Sequence, residues 1–221
     1  MGSGGNKGKI MNNRIDHFTL GTAALPQGQA ALADVLGVTL PQGSKHDAMS
    51  THNCVCQAGN ESFMELIAID PEAPDPGRIR WFTLDDPATQ ARIADRPRAL
   101  CWVVNTSDLD AVVAASSVDL GEVVHFQRGD RTWRLTVPRD GSLPMGGLLP
   151  AFIEWSPGPH PSTSQQDLRL RLTKVKLRHP DPDRLRALLS ELRVDHLAEV
   201  SAGSMALCFE VETANGLVTL D

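Results

Sequence analysis

Polar and apolar positions alternate along RIDHFTL, residues 14–20, with a histidine set among Ile15, Phe18 and Leu20. Period-two alternation marks a half-buried strand. Residues 22–37 then change to helical spacing, opened by Pro26 and closed by Gly37, the expected asymmetry of helix ends. The succession recurs. ALCWVVNTSDLDAVVAASS predicts a strand and then a helix capped by Ser107 or Asp108. LRLTKVKLRHPDPDRLRALLSEL predicts the same again, with Asp181 as cap and Pro182 just inside. Short strands follow each pair. THNCVCQAG and ESFMELIAID meet at Gly59-Asn60. GEVVHFQ, TWRLTVP and AFIEWS are separated by Gly129-Asp130 and Asp140-Gly141. DHLAEVSAG, MALCFEVET and GLVTLD end the chain, with a turn at Asn215-Gly216. Consecutive strands pair antiparallel, so the pattern predicts an α+β fold of repeated βαβββ units. The first unit spans 14–72, the second 99–157 and a shorter third 168–221. Residues 73–98 form a Pro- and Asp-rich connector with one helical turn near 88–95, and 158–167 a linker. The Gly/Ser/Asn-rich stretch 1–13 reads as a flexible leader and is set aside.

Composition narrows the function. The 221 residues are 41% hydrophobic and 22% charged, an ordinary globular profile. A net charge of -6 argues against nucleic acid as partner, because phosphate binding needs a basic face. No apolar run approaches the roughly 18–20 residues that span a membrane, and no secretory leader is legible, so a cytoplasmic protein is expected. Cys54, Cys56, Cys101 and Cys208 lack the paired spacing of a zinc site and read as small buried hydrophobes in a reducing compartment.

Aligning the first strands by their helix caps places His17 opposite Trp102 and Lys174. The last strands align Glu65 in FMELIAI with Glu154 in FIEWS, each flanked by apolar residues. Two carboxylates at equivalent positions, beside a strand histidine, point to a shared cavity. An imidazole with carboxylates and no thiolate suits Zn, Ni, Mn, Fe or Co as divalent ions. A glutamate of raised pKa can then move protons. The plain alternative for His17 is a core histidine bonded to a backbone carbonyl. Arg134 and Lys174 are the alternative neutralising partners for the glutamates.

The stretch GSKHDAMSTHNCVCQAGNESFMELIAIDPEAPDPGRIRWFTLD, together with IDHFTL, resembles the glyoxalase-like domain group of the vicinal oxygen chelate superfamily. The resemblance covers residues 14–156 and weakens beyond. It implies cupped sheets with helices outside, each unit forming half of the cup. It implies a metal held by His17, Glu65 and Glu154, with the fourth position at Trp102, or at Cys101 or Val103 under a one-residue shift of register. None of these three is the usual His or Gln, so the chain departs from the pattern there. The resemblance further implies a metal-dependent isomerase or lyase acting on a small α-oxygenated carbonyl compound, with Glu154 as a catalytic group, and a homodimer. His52, on a strand beside that of Glu65 but not at a standard position of the family, is a second catalytic candidate, as ligand, substrate contact or proton carrier. Trp102, Arg134, Trp155 and His125 are the expected substrate contacts. Arg131 and Arg139 read as solvated turn charges, and His46 as a loop residue. PMGGLLP, 144–150, reads as a flexible loop over the cup, and SPGPH as linker. The alternative function is a metal-free small-molecule binding protein on the same scaffold, which the missing fourth ligand favours. An extradiol dioxygenase is a weaker match, because the chain has no tyrosine.

Overall fold

A computed structural model of the chain describes residues 13–221. The expected leader lies outside the described residues except for Asn13. That residue is buried and donates from Nδ2 to the Leu192 carbonyl at 3.1 Å.

The first unit runs β1 (Arg14–Gly21), α1 (Leu25–Leu36), β2 (Gln42–His46), β3 (Thr51–Gly59) and β4 (Ser62–Ile69). The connector carries α2 (Pro87–Ile93). The second unit runs β5 (Arg98–Asn105), α3 (Leu109–Ala115), β6 (Glu122–Arg128), β7 (Arg131–Val137) and β8 (Ala151–Trp155). The third runs β9 (Arg171–His179), α4 (Pro182–Glu191), β10 (Glu199–Ala202), β11 (Ala206–Thr213) and β12 (Gly216–Leu220). The caps follow the sequence. Gly37 adopts φ 73°, a left-handed conformation that favours glycine, and its N–H closes α1 onto the Ala33 carbonyl. Asp108 rather than Ser107 caps α3, accepting from the Ala111 N–H, and Asp181 caps α4.

Eight strands form one sheet in the order β2-β3-β4-β1-β5-β8-β7-β6. The order is the same within each half, and the halves meet at the antiparallel β1–β5 seam. The sheet is mixed rather than wholly antiparallel, since β1 pairs parallel with β4 and β5 with β8. The cause is the helix. It returns the chain to the end where the first strand began, so the next strand repeats that direction. Two further reversals bring the last strand in parallel to the first. The third unit has the same element order but a different pairing, β10-β9-β11-β12.

Alternate residues of the large sheet serve two cores. Phe18, Met64, Trp102 and Phe152 point to the outer face, against Leu32 and Leu36 of α1 and Leu109 and Val112 of α3. Val175, Leu177, Phe209 and Val211 of the small sheet close that layer, with the Phe18 and Phe209 rings 4.8 Å apart. Each such buried side chain contributes about 1.5–3 kcal/mol. Segment 144–150 belongs here too: it is not a loop over the cup, because Leu148 and Leu149 are buried in the outer core. On the inner face, Trp81, Phe82 and Leu84 from the connector pack with Val103, Leu135 and Ile153. The connector therefore fills one end of the cup. All four cysteines are free, and burial pushes the Cys54 and Cys56 thiols up to about 11 and about 12. No helix among the described residues is long and apolar enough to cross a membrane.

Because Phe209 joins the two sheets, Phe209→Ala is expected to cost about 3–5 kcal/mol. Urea unfolding followed by fluorescence and circular dichroism should give one shared transition. Separate transitions would mean that the small sheet folds on its own.

Candidate functional site

The site grows from an irregularity in β1. Pairing with β5 steps from Ile15–Val104 to His17–Val103, leaving Asp16 as an extra residue. Such a bulge re-aims a side chain, and Asp16 here turns its carboxylate alongside His17 instead of opposite it. Its Oδ1 accepts from His17 Nδ1 at 2.6 Å. Its Oδ2 accepts from Trp155 Nε1 at 2.7 Å, His160 Nε2 at 2.9 Å and Asn105 Nδ2 at 3.2 Å. Burial pushes the Asp16 carboxyl up, but the bonds and charge of His160 and His17 outweigh it and hold the group far below the usual carboxylate range. The tautomers follow. His160 Nδ1 accepts the Ser162 N–H, so its Nε2 carries the proton given to Asp16. His17 gives its Nδ1 proton to Asp16, which leaves Nε2 facing the cup.

His17 Nε2 lies 3.9 Å from Glu65 Oε2, and the Phe63 ring stacks on the imidazole with centroids 4.4 Å apart. Glu65 is 5% exposed. It accepts from Thr19 Oγ1 at 3.0 Å and from Asn53 Nδ2 at 2.7 Å. Asn53 Oδ1 takes the Ser44 N–H, and Asn53 Nδ2 also reaches His46 Nε2 at 3.3 Å. His46 thus donates from Nδ1 to Thr51, and burial lowers its pKa, keeping it neutral. These groups form the floor of a cavity of about 600 Å³, open mouth included. Its walls are aromatic and aliphatic: Trp81, Phe82, Trp133, Trp155, Leu135 and Ile153.

A family model described as a glyoxalase-like domain matches residues 15–193. The chain belongs to the glyoxalase-like domain family. Among curated protein sequences, none matches it. Of solved structures, a hypothetical protein from Staphylococcus aureus aligns with TM-score 0.58 at 13% identity, over 95% of this chain and 85% of that one. A Mn(II)-bound glyoxalase from Novosphingobium aromaticivorans aligns with TM-score 0.45 at 11% identity, over 93% of this chain and 80% of that one. Methylmalonyl-CoA epimerase from Mycobacterium tuberculosis aligns with TM-score 0.42 at 18% identity, over 68% of this chain and 91% of that one. These likenesses concern the fold.

In this glyoxalase-like chain the structure brings His17, Glu65 and Trp155 to one cavity. The other expected residues lie elsewhere, mostly by a one-residue change of face. Glu154 sits between the inward Ile153 and Trp155 and points outward, so it is no partner of His17 and Glu65. It accepts the Leu109 N–H and pairs with Arg134, the alternative partner read from sequence. Arg134, held also by Asp110, lies with Glu154 outside the lining of the cavity. Trp102 is buried in the outer core and donates to the Leu148 carbonyl. His125 is exposed on the outer face, opposite Arg134. His52 lies outside the cavity, with Nε2 buried and unpartnered, while its neighbour Asn53 turns inward. Lys174 pairs with Glu199 on the small sheet. Sequence reading missed Asp16, His46, Asn53 and His160. The one legible sign of His160 was its place between Pro159 and Pro161, which fixes the backbone of an otherwise polar linker.

The residues present do not fit a metal centre with three protein ligands. Among the described residues His17, His46 and Glu65 line the cavity, but both Glu65 oxygens already accept hydrogen bonds and His46 Nε2 faces the Asn53 amide, which leaves His17 Nε2 as the one uncommitted donor of that kind. On β5 and β8 the inward positions nearest the floor are Cys101, Val103 and Ile153, and burial pushes the Cys101 thiol well above its usual range. Among the described residues no group of three or more His, Cys, Asp and Glu could hold an ion.

Asp16→Asn removes the charge that four donors address, and a loss of about 3–5 kcal/mol is expected. The folded pKa lies below the ordinary 3.8, so the unfolded chain binds more protons as pH falls through this range. The Asp16 contribution is complete above pH 3.8 and fades as pH falls toward the folded value. Urea unfolding at a series of acidic pH values should show a steep acid limb in the native protein. A shallower limb is expected in Asp16→Asn.

Proposed function

We propose that this chain is a proton-transfer enzyme of the isomerase or lyase type, acting on a small α-oxygenated carbonyl compound without a metal. The observation that supports this reading is the Asp16-anchored His17, with Nε2 3.9 Å from the buried Glu65 at the floor of an aromatic cavity. Asp16 orients the imidazole and stabilises it once protonated, as in other carboxylate–histidine couples. The flat or apolar part of the substrate lies against Trp133 and Trp155. One of the two floor groups takes the proton from the carbon next to the carbonyl, and the electron pair moves into an enediolate. Both groups stand on the same side of the cavity. They suit delivery of that proton to the adjacent atom, a 1,2-shift, better than delivery to the opposite face. Gln165 lines the cavity with its Oε1 buried and unpartnered, an acceptor for a substrate hydroxyl. The four free cysteines support a reducing, cytoplasmic setting.

The apolar second-unit wall, Leu135 and Ile153, favours a second reading, a binding protein without chemistry. Deuterium exchange at the α-carbon, followed by NMR over a panel of hydroxy- and keto-carbonyl compounds, separates the two. The enzyme reading expects exchange that falls about 10²–10⁴-fold in His17→Ala and Glu65→Gln. Binding without exchange in the native protein would establish the second reading.

Metal analysis by mass spectrometry is expected to show substoichiometric divalent ion and a rate unchanged by chelator. One bound ion per chain, lost in His17→Ala, would overturn the metal-free mechanism.

A further inference from the structure

The hairpin FQRGDRTWRLTVPRDG holds four arginines, and the structure divides them into two kinds. Arg134 is neutralised by Glu154 and Asp110, and Arg139 by Glu122. Arg128 and Arg131 face each other across the Gly129-Asp130 turn and make no ion pair among the described residues. The strand period decides their direction. Phe126 and Trp133 are opposite each other on the inner face, with rings 5.5 Å apart, so Arg128 and Arg131, each two residues nearer the turn, share that face. Arg128 Cζ lies 5.8 Å from the Trp133 ring centroid, and Arg131 Cζ 5.7 Å from that of Trp155. Both tryptophans and Arg128 line the cavity.

A guanidinium laid on an indole is held in orientation while its edge N–H groups remain free to donate. Two of them, side by side at the mouth, present donors matched to a carboxylate or phosphate. The other ionisable groups at the cavity lie on its floor. Glu65 accepts from Thr19 and Asn53 there, burial lowers the His46 pKa, and the Asp16 carboxylate is already bonded by His17 and His160. The acceptor oxygens of Glu65 offer an anion no donor near the floor.

We propose that Arg128 and Arg131 form an anion-binding rim, so that the ligand of this cavity carries a carboxylate or phosphate at the mouth and its reacting carbonyl at the floor. This deepens the proton-transfer reading and rests on it for the floor end only. The rim fixes which end of the ligand enters first and selects against neutral analogues.

Titration calorimetry with mandelate, phenyl phosphate and the neutral methyl mandelate tests the rim. At least one anion should bind about ten-fold or more tightly than the ester, and its affinity should fall as salt rises. Whichever anion binds better assigns the head group as carboxylate or phosphate. Arg128→Gln/Arg131→Gln should abolish the preference, so that anions and ester bind alike. Arg128→Lys/Arg131→Lys should restore part of it. Equal binding of ester and anions, a preference that survives the double Gln variant, or no anion binding at millimolar concentration would each overturn the rim. The two readings fail separately. Anion preference without α-proton exchange on any compound removes the enzyme reading and leaves the rim. Exchange on neutral compounds without anion preference removes the rim and leaves the enzyme.

Discussion

A carboxylate buried out of reach of water must be answered by donors, and Asp16 is answered by four. They come from different parts of the chain: His17 in β1, Asn105 at the end of β5, Trp155 at the end of β8 and His160 in the segment beyond it. One charge therefore ties both halves of the large sheet at their seam and draws the 156–168 segment down onto the cup. The cost of an unanswered buried charge makes this arrangement close to all-or-none. The same charge sets the tautomer of His17, so the feature that fastens the site also decides which nitrogen meets a ligand.

Much of this architecture was legible in advance. Pro26, Gly37, Asp108 and Asp181 mark helix ends through local chemistry that tertiary structure did not override. The α+β class and the duplicated unit follow from periodicity. His17 and Glu65 were legible because both occupy inward positions of strands that pair directly, with Thr19 opposite Glu65. Trp155 also lines the cavity, and most of the other expected residues face away from it. A strand changes face at each residue, so an error of one position exchanges cavity for core. Trp102 stands beside Cys101 and Val103, Glu154 beside Ile153 and Trp155, and His52 beside Asn53. In each case the chemically attractive residue points away and its neighbour points in. Asp16 was hidden for the opposite reason: strict alternation sends it outward, and a bulge that depends on the β5 partner brings it back.

The two halves share a backbone plan and differ in chemistry. In the first, inward positions carry His17, Thr19, Asn53 and Glu65; in the second they carry Val103, Leu135 and Ile153, with Trp133 and Trp155 toward the mouth. Here one half supplies His17, Asn53 and Glu65 and the other supplies a wall. Aromatic rings from the connector and the second unit wall the cavity, and Glu65 at its floor is left 5% exposed.

The division of labour along each strand has an outcome for how such a protein can change. Phe18 and His17 are adjacent, yet one belongs to the layer that holds the sheets together and the other to the cavity. The same holds for Met64 and Glu65, and for Phe152 and Ile153. Ligand preference and thermodynamic robustness are thus written on alternating letters of the same short words. The cavity can be rewritten letter by letter while the layer behind it, closed by the small sheet, continues to hold the fold.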